Sequence, residues 1–265
     1  GLLAGPAAAD RRLPPVGNLK GAGADRGNMN CMKGRNMKTE RFQIGTIPAV
    51  LYGEPARQGY LFLHGQMGRK EEAEAFARVV CPKGWQVVSI DLPGHGERLD
   101  RDEELAPWTA VPDIRTALDW MEHRWKTTAL RANSIGAYFA MLAFDKPAVA
   151  LLVSPILDME ELILAMMGWD GITEEQLRRQ GEIAASSGQA LSWNYLCWVR
   201  EHPIHDWTCP IRILYGSEDK MTSRRTVEDY IHQHDAKLTV MEGGEHWFHT
   251  PEQLTVLREW EETET

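Results

Sequence analysis

The stretch RANSIGAYFA, residues 131–140, decides how this chain of 265 residues folds. Upstream is TTAL, a β-branched and apolar run that reads as a strand. Downstream, Ala137, Tyr138, Phe139, Ala140, Met141, Leu142 and Ala143 read as a buried helix. Ser134 therefore falls at a strand-to-helix junction with almost no room to turn. A serine there is either a helix N-cap or a hydroxyl displayed for chemistry. Ala132-Asn133-Ser134-Ile135-Gly136 fits the second reading as a small-x-Ser-x-Gly elbow, with Ala132 where glycine is usual.

Working outward from the elbow, strands alternate with helices. RFQIG and AVLYG read as a strand pair, YLFLHG (60–65) as a continuous apolar strand of a parallel sheet, and residues 70–80 as a helix. WQVVSID (85–91) and AVALLVS (148–154) are strands, with a helix around Ile114, Ala117, Leu118 and Met121 between them. IRILYG (211–216), a helix over 222–233, LTVMEG (238–243) and a helix over 251–262 complete the series. Such alternation predicts an α/β fold with a mostly parallel central sheet flanked by helices.

Residues 156–206 break the rhythm. ILDMEELILAMMGW, TEEQLRRQGEIA and LSWNYLCWVREH read as helical, with no strand between them. Met166, Met167 and Trp198 make the segment bulky. It is expected either to pack a small core of its own or, overhanging the strand ends where α/β sheets bind ligands, to form a cap with an apolar underside. The organisation expected is a leader over 1–38, a core over 39–155, the cap over 156–206 and the second part of the core over 207–265.

A serine hydroxyl attacks only when a base takes its proton, and an imidazole base needs an acid to fix its tautomer. Of nine histidines, His246 in GGEHWF follows the last strand on a Gly-Gly loop, with His249 as its near alternative. Asp219, in YGSEDKMTS after IRILYG, is the best acid, and Asp158, after AVALLVS, is the second. Two backbone N–H groups should hold an oxyanion, Ile135 after the serine and Gln66 in the turn His64-Gly65-Gln66-Met67-Gly68. His64 is expected to brace that turn. Asp91 and His95, in DLPGHGER, are expected to shape a tight turn rather than to react.

These pieces, LFLHGQMG, DLPGHGER, ANSIG, YGSEDKMTS and GGEHWF in Ser…Asp…His order, resemble the α/β-hydrolase superfamily, specifically its small lidded serine esterase and lysophospholipase-like branch. The resemblance covers residues 40–262. It departs at Ala132 and in a short N-terminal sheet region, where the family's first strand is expected to be missing. It implies an ester hydrolase working through an acyl-enzyme on Ser134, with a small-molecule ester as partner and no cofactor or metal. Amide, peptide or thioester cleavage is the alternative on the same residues, and a non-catalytic binding protein is the alternative from another class. A dehalogenase would need a carboxylate where Ser134 stands.

Charge narrows the partners. The chain carries −9, but residues 1–38 hold seven of its 29 Lys and Arg and two of its 38 Asp and Glu, which leaves −14 on the remainder. Such a body repels nucleic acid phosphates and anionic membranes. Four cysteines, Cys31, Cys81, Cys197 and Cys209, form no CxxC or His-flanked pair, so reduced, mostly buried thiols are expected. No apolar run reaches the roughly 18 residues of a membrane span. The first 38 residues, rich in Gly, Pro, Ala and Asn, lack periodicity and read as a disordered leader, native or vector-derived. A cytoplasmic protein is expected.

Overall fold

The computed structural model describes residues 37–186 and 188–265, so the expected leader lies, apart from Met37 and Lys38, outside the described residues. Two six-residue strands, β1 (Thr39–Ile44) and β2 (Ile47–Tyr52), pair antiparallel about Gly45 and Thr46. The expectation of a shortened N-terminal sheet is corrected: β1 is present and widens the sheet to eight strands. The chain then alternates through β3 (Gln58–Leu63), α1 (Ala73–Val80), β4 (Gln86–Ile90), α2 (Pro107–Glu122), β5 (Thr127–Asn133), α3 (Ser134–Ala143) and β6 (Ala150–Val153). An insertion follows, with α4 (Met159–Trp169), α5 (Glu174–Gln180), β7 (Glu182–Ala184), β8 (Ala190–Ser192) and α6 (Trp193–Glu201). The core resumes with β9 (Ile211–Gly216), α7 (Arg224–Gln233), β10 (Ala236–Met241) and α8 (Pro251–Glu264).

The strand order is β1-β2-β4-β3-β5-β6-β9-β10, with β2 antiparallel to β4 and every pair from β4 to β10 parallel. From β3 the chain moves outward to β4, then returns to place β5 on the other side. The order thus reverses between β3 and β5, where open α/β sheets leave a crevice at their C-terminal edge. Alternate residues feed two cores. Leu61, Val88, Leu130 and Ile213 face α2 and α3, and Tyr60, Phe62, Val87 and Leu214 join Phe76 of α1 and Trp260 of α8. Within the second core Arg131 of β5 donates to Glu261 of α8 at 2.8 Å, both side chains almost fully buried. Burial pushes the Glu261 carboxyl up, opposed by the adjacent guanidinium.

The insertion corrects the expectation of an all-helical segment. Helix α5 stops at Gln180 because Gly181 adopts φ 79, a conformation only glycine takes without steric cost. GEIA therefore leaves the helix, and β7 pairs with β8 antiparallel, Ile183 opposite Leu191. Nor does the segment keep a core to itself. Met166, Met167, Leu177, Leu191 and Leu196 are buried in the cluster that also holds Tyr138 and Phe139 of α3. Residues Met37–Thr265 form one compact unit. Among the described residues no helix is long and apolar enough to cross a membrane. Cys81 and Cys197 are partly exposed rather than buried, and Cys209 is buried, all three as free thiols.

Candidate active site

Ser134 is not the N-cap of α3. That place is held by Asn133, whose side chain makes no capping bond, because its Oδ1 accepts from an Arg131 guanidinium nitrogen at 2.6 Å. Ser134 has φ 48, in the left-handed region that costs a non-glycine residue about 1–2 kcal/mol. The strain swings its hydroxyl off the helix, and Oγ lies 2.8 Å from Nε2 of His246. Gly136 allows this packing: a Cβ there would lie 2.3 Å from the His64 carbonyl oxygen. The glycine two places after the serine lets α3 rest directly on the loop after β3.

His246, half-buried, turns its other ring nitrogen to Asp219, with Nδ1 and Oδ2 2.8 Å apart. Nδ1–H donates to the carboxylate, which leaves Nε2 free to accept from the serine hydroxyl. Asp219 is held on both oxygens. Its Oδ1 accepts from the Met221 N–H at 2.7 Å and the Thr222 N–H at 3.2 Å, and its carboxylate is fully buried. The loops after β9 and β10 are tied together by Ser217 N–H to Met241 O, Glu218 N–H to Gly244 O and Gly243 N–H to Ser217 Oγ. Acid and base are therefore fixed to one another by backbone as well as by side chain.

Asp158 is elsewhere. It is exposed and caps α4, Oδ1 accepting from the Glu161 N–H at 2.8 Å. A strand-end position suggested an acid, and a helix start three residues before Glu161 claimed the carboxylate instead. His249 stacks on exposed Trp247, its Nδ1 on the Trp247 carbonyl, away from the serine.

The two expected oxyanion donors differ in surroundings. Ile135 lies in the first turn of α3, where no N–H has an intrahelical acceptor and no side chain caps. Gln66 lies in the turn after β3, and among the described residues its N–H has no hydrogen-bond partner. His64 braces this turn as expected, with Nδ1–H donating to the Gly65 carbonyl at 2.8 Å and Nε2 accepting from Leu92 N–H at 3.1 Å. Burial drives the His64 pKa down to about 4, so it is neutral around pH 7. Asp91 is structural too, accepting from the Lys70 ammonium at 2.7 Å and from the Lys70 and Glu97 backbones.

The cap residues separate. Met166 and Met167 are 5% and 3% exposed, which leaves no face for a ligand, so the expectation that they line a pocket is corrected. The pattern that put them on an apolar underside put them into the sheet's own core. Trp198 is half-buried, stacked on His202 and edge-on to Trp108 at 6.4 Å. Sequence reasoning missed Ser154, at the end of β6 beside the elbow. It has φ 46 and a buried hydroxyl without a hydrogen-bond partner, and nothing in the run LLVSP signals either property. Among the described residues no group of three or more His, Cys, Asp or Glu side chains could hold a metal ion.

An eight-stranded sheet with a strained serine after β5, a buried aspartate after β9 and a histidine after β10, all on strand-end loops, defines a hydrolase. The chain belongs to the alpha/beta hydrolase family, whose sequence model matches residues 60–257. It is similar in structure to Est1E from Butyrivibrio proteoclasticus, solved with ferulic acid bound, at 17% identity and TM-score 0.67 over 84% of this chain and 96% of that one. It is also similar to the mouse alpha/beta hydrolase domain-containing protein 10, at 15% identity and TM-score 0.63 over 84% of this chain and 96% of that one. The esterase Pf2001 of Pyrococcus furiosus matches at 13% identity and TM-score 0.58 over 86% of this chain and 90% of that one. At such identities the likeness is one of fold. No curated protein matches the chain in sequence.

Proposed function

We propose that this protein is a serine hydrolase of carboxylic esters, and the observation that carries the reading is the unbroken line Ser134 Oγ, His246, Asp219, with 2.8 Å at each step. Ser134 Oγ attacks the acyl carbon while His246 Nε2 takes its proton. The carbonyl oxygen becomes an oxyanion facing the Ile135 and Gln66 N–H groups. Collapse of the intermediate expels the alcohol oxygen, which receives the proton from Nε2, and leaves an acyl group on Ser134. Water repeats the sequence with His246 as base and releases the carboxylic acid. Asp219 keeps Nδ1 protonated throughout and stabilises the imidazolium.

The substrates are uncharged esters with short to medium acyl chains. We assign the acyl group to the cap side, where half-buried Trp198 packs edge-on to Trp108, and an apolar wall there gives a charged substituent nothing to repay its desolvation. The negative body adds a long-range bias against anionic esters. A panel of p-nitrophenyl esters of increasing acyl length, run beside matched anilides, thioesters and a carboxylate-bearing ester, tests this. Esters should be cleaved fastest, each fitting methylene improving kcat/KM by at most about 0.8 kcal/mol. Faster cleavage of the thioesters or anilides would move the reading to that class.

A further inference from the structure

The turn that carries Gln66 is held by a residue outside the catalytic line. The Gly68 N–H donates to the Gly65 carbonyl at 3.1 Å, closing a four-residue turn, and Met67 at its third position has φ 61 while Gln66 does not adopt positive φ. That combination is a type II turn, whose third position ordinarily takes glycine. Packing does not hold Met67 there, since its side chain is 90% exposed. The Met67 N–H instead donates to Nε2 of His95 at 3.0 Å. His95 Nδ1 lies 2.9 Å from the Pro93 carbonyl and donates to it, which fixes the neutral tautomer that leaves Nε2 able to accept. The His95 loop is itself rigid, anchored through Asp91 to Lys70 and Glu97. Its ring lies 5.4 Å from His64, which grips the Gly65 carbonyl. Two imidazoles thus hold the turn, one on each side of Gln66.

We propose that His95 is a positioning residue for the oxyanion step, locking the Gly65–Gly68 turn so that the Gln66 N–H keeps a fixed direction. This rests on the proposed serine hydrolase reading. Without the His95 acceptor nothing pins the Gln66–Met67 peptide, the left-handed Met67 relaxes, and the turn that closes Gly65 on Gly68 loosens. The Gln66 N–H, on the adjoining Gly65–Gln66 peptide, is then held only through the His64 contact to the Gly65 carbonyl, and the donor loses part of its preorganisation.

The test is a cycle of His95→Phe, Met67→Gly and the double variant, with His95→Gln as a conservative replacement whose Oε1 can accept from Met67. His95→Phe should lower kcat by about 10- to 100-fold with KM within about threefold, since the contact acts in the transition state. His95→Gln should restore most of that loss. In the Met67→Gly background the His95→Phe loss should shrink at least about fivefold, because glycine holds φ near 60° without help. Hydrogen exchange on the wild type adds a measurement that needs no variant: the Met67 amide should be protected although its side chain is exposed. An unchanged kcat in His95→Phe, equal losses in both backgrounds, or an unprotected Met67 amide would each overturn the proposal. Failure of the underlying reading looks different, because Ser134→Ala would then retain hydrolysis whatever His95 does.

Discussion

The strand-end loops that carry Ser134, Asp219 and His246 and the insertion between β6 and β9 sit in one compact unit but are held by different forces. In the loops, direction is set by strain and hydrogen bonds: a serine at φ 48, a carboxylate with backbone donors on one oxygen, two loops joined by backbone bonds. In the insertion, position is set by apolar burial, and the polar ties, such as Arg200 to Glu160 and Glu174, are exposed. Directional bonds make a residue irreplaceable for chemistry, whereas burial makes it replaceable by anything of similar volume. Substitutions in the two regions should therefore fail in different ways.

The largest contrast is between the two aspartates. Asp219→Asn should lower kcat by about 10⁴-fold, because an amide favours the wrong His246 tautomer. Asp158→Ala should leave kcat within twofold and cost about 1 kcal/mol of stability through loss of the α4 cap. Steady-state kinetics and thermal unfolding on both variants check this, and a silent Asp219→Asn would erase the distinction between the regions. Next in size, Met166→Ala should destabilise by about 2–5 kcal/mol, the range for emptying a buried site. Its preference for acyl length should stay that of the wild type. A changed preference with unchanged stability would return Met166 to the pocket.

A smaller effect sharpens the comparison through pH. His64 in the fold has a pKa of about 4, lowered by burial, against about 6.5 when unfolded. Between those values the unfolded chain binds a proton that the folded one does not, so the contribution is complete above pH 6.5. It is lost as pH falls toward 4, by on the order of 3 kcal/mol. Denaturant unfolding at pH 7 and pH 4.5 should show that loss in the wild type and a reduced one in His64→Gln. Equal losses in the two proteins would mean that His64 is not held neutral.

The same division governed what could be read in advance. Strand β9 coincides with IRILYG, and the elbow, His246 and Asp219 stand where local patterns placed them, because strand ends and turns leave local marks in sequence. The short strands β7 and β8 were hidden inside runs that also fit helices, since three residues do not establish a period. The contact between His95 and Met67 joins residues 28 apart, and no local pattern announces it. The two methionines were misplaced because periodicity marks an apolar face without saying what covers it.

The central claim is that Ser134 is the nucleophile. Reaction with a fluorophosphonate probe, followed by peptide mass spectrometry, tests it most directly. The account predicts one adduct per chain, on Ser134, and no adduct in a folded Ser134→Ala variant. An adduct on another serine in that variant, or a wild type that takes up no probe, would contradict it.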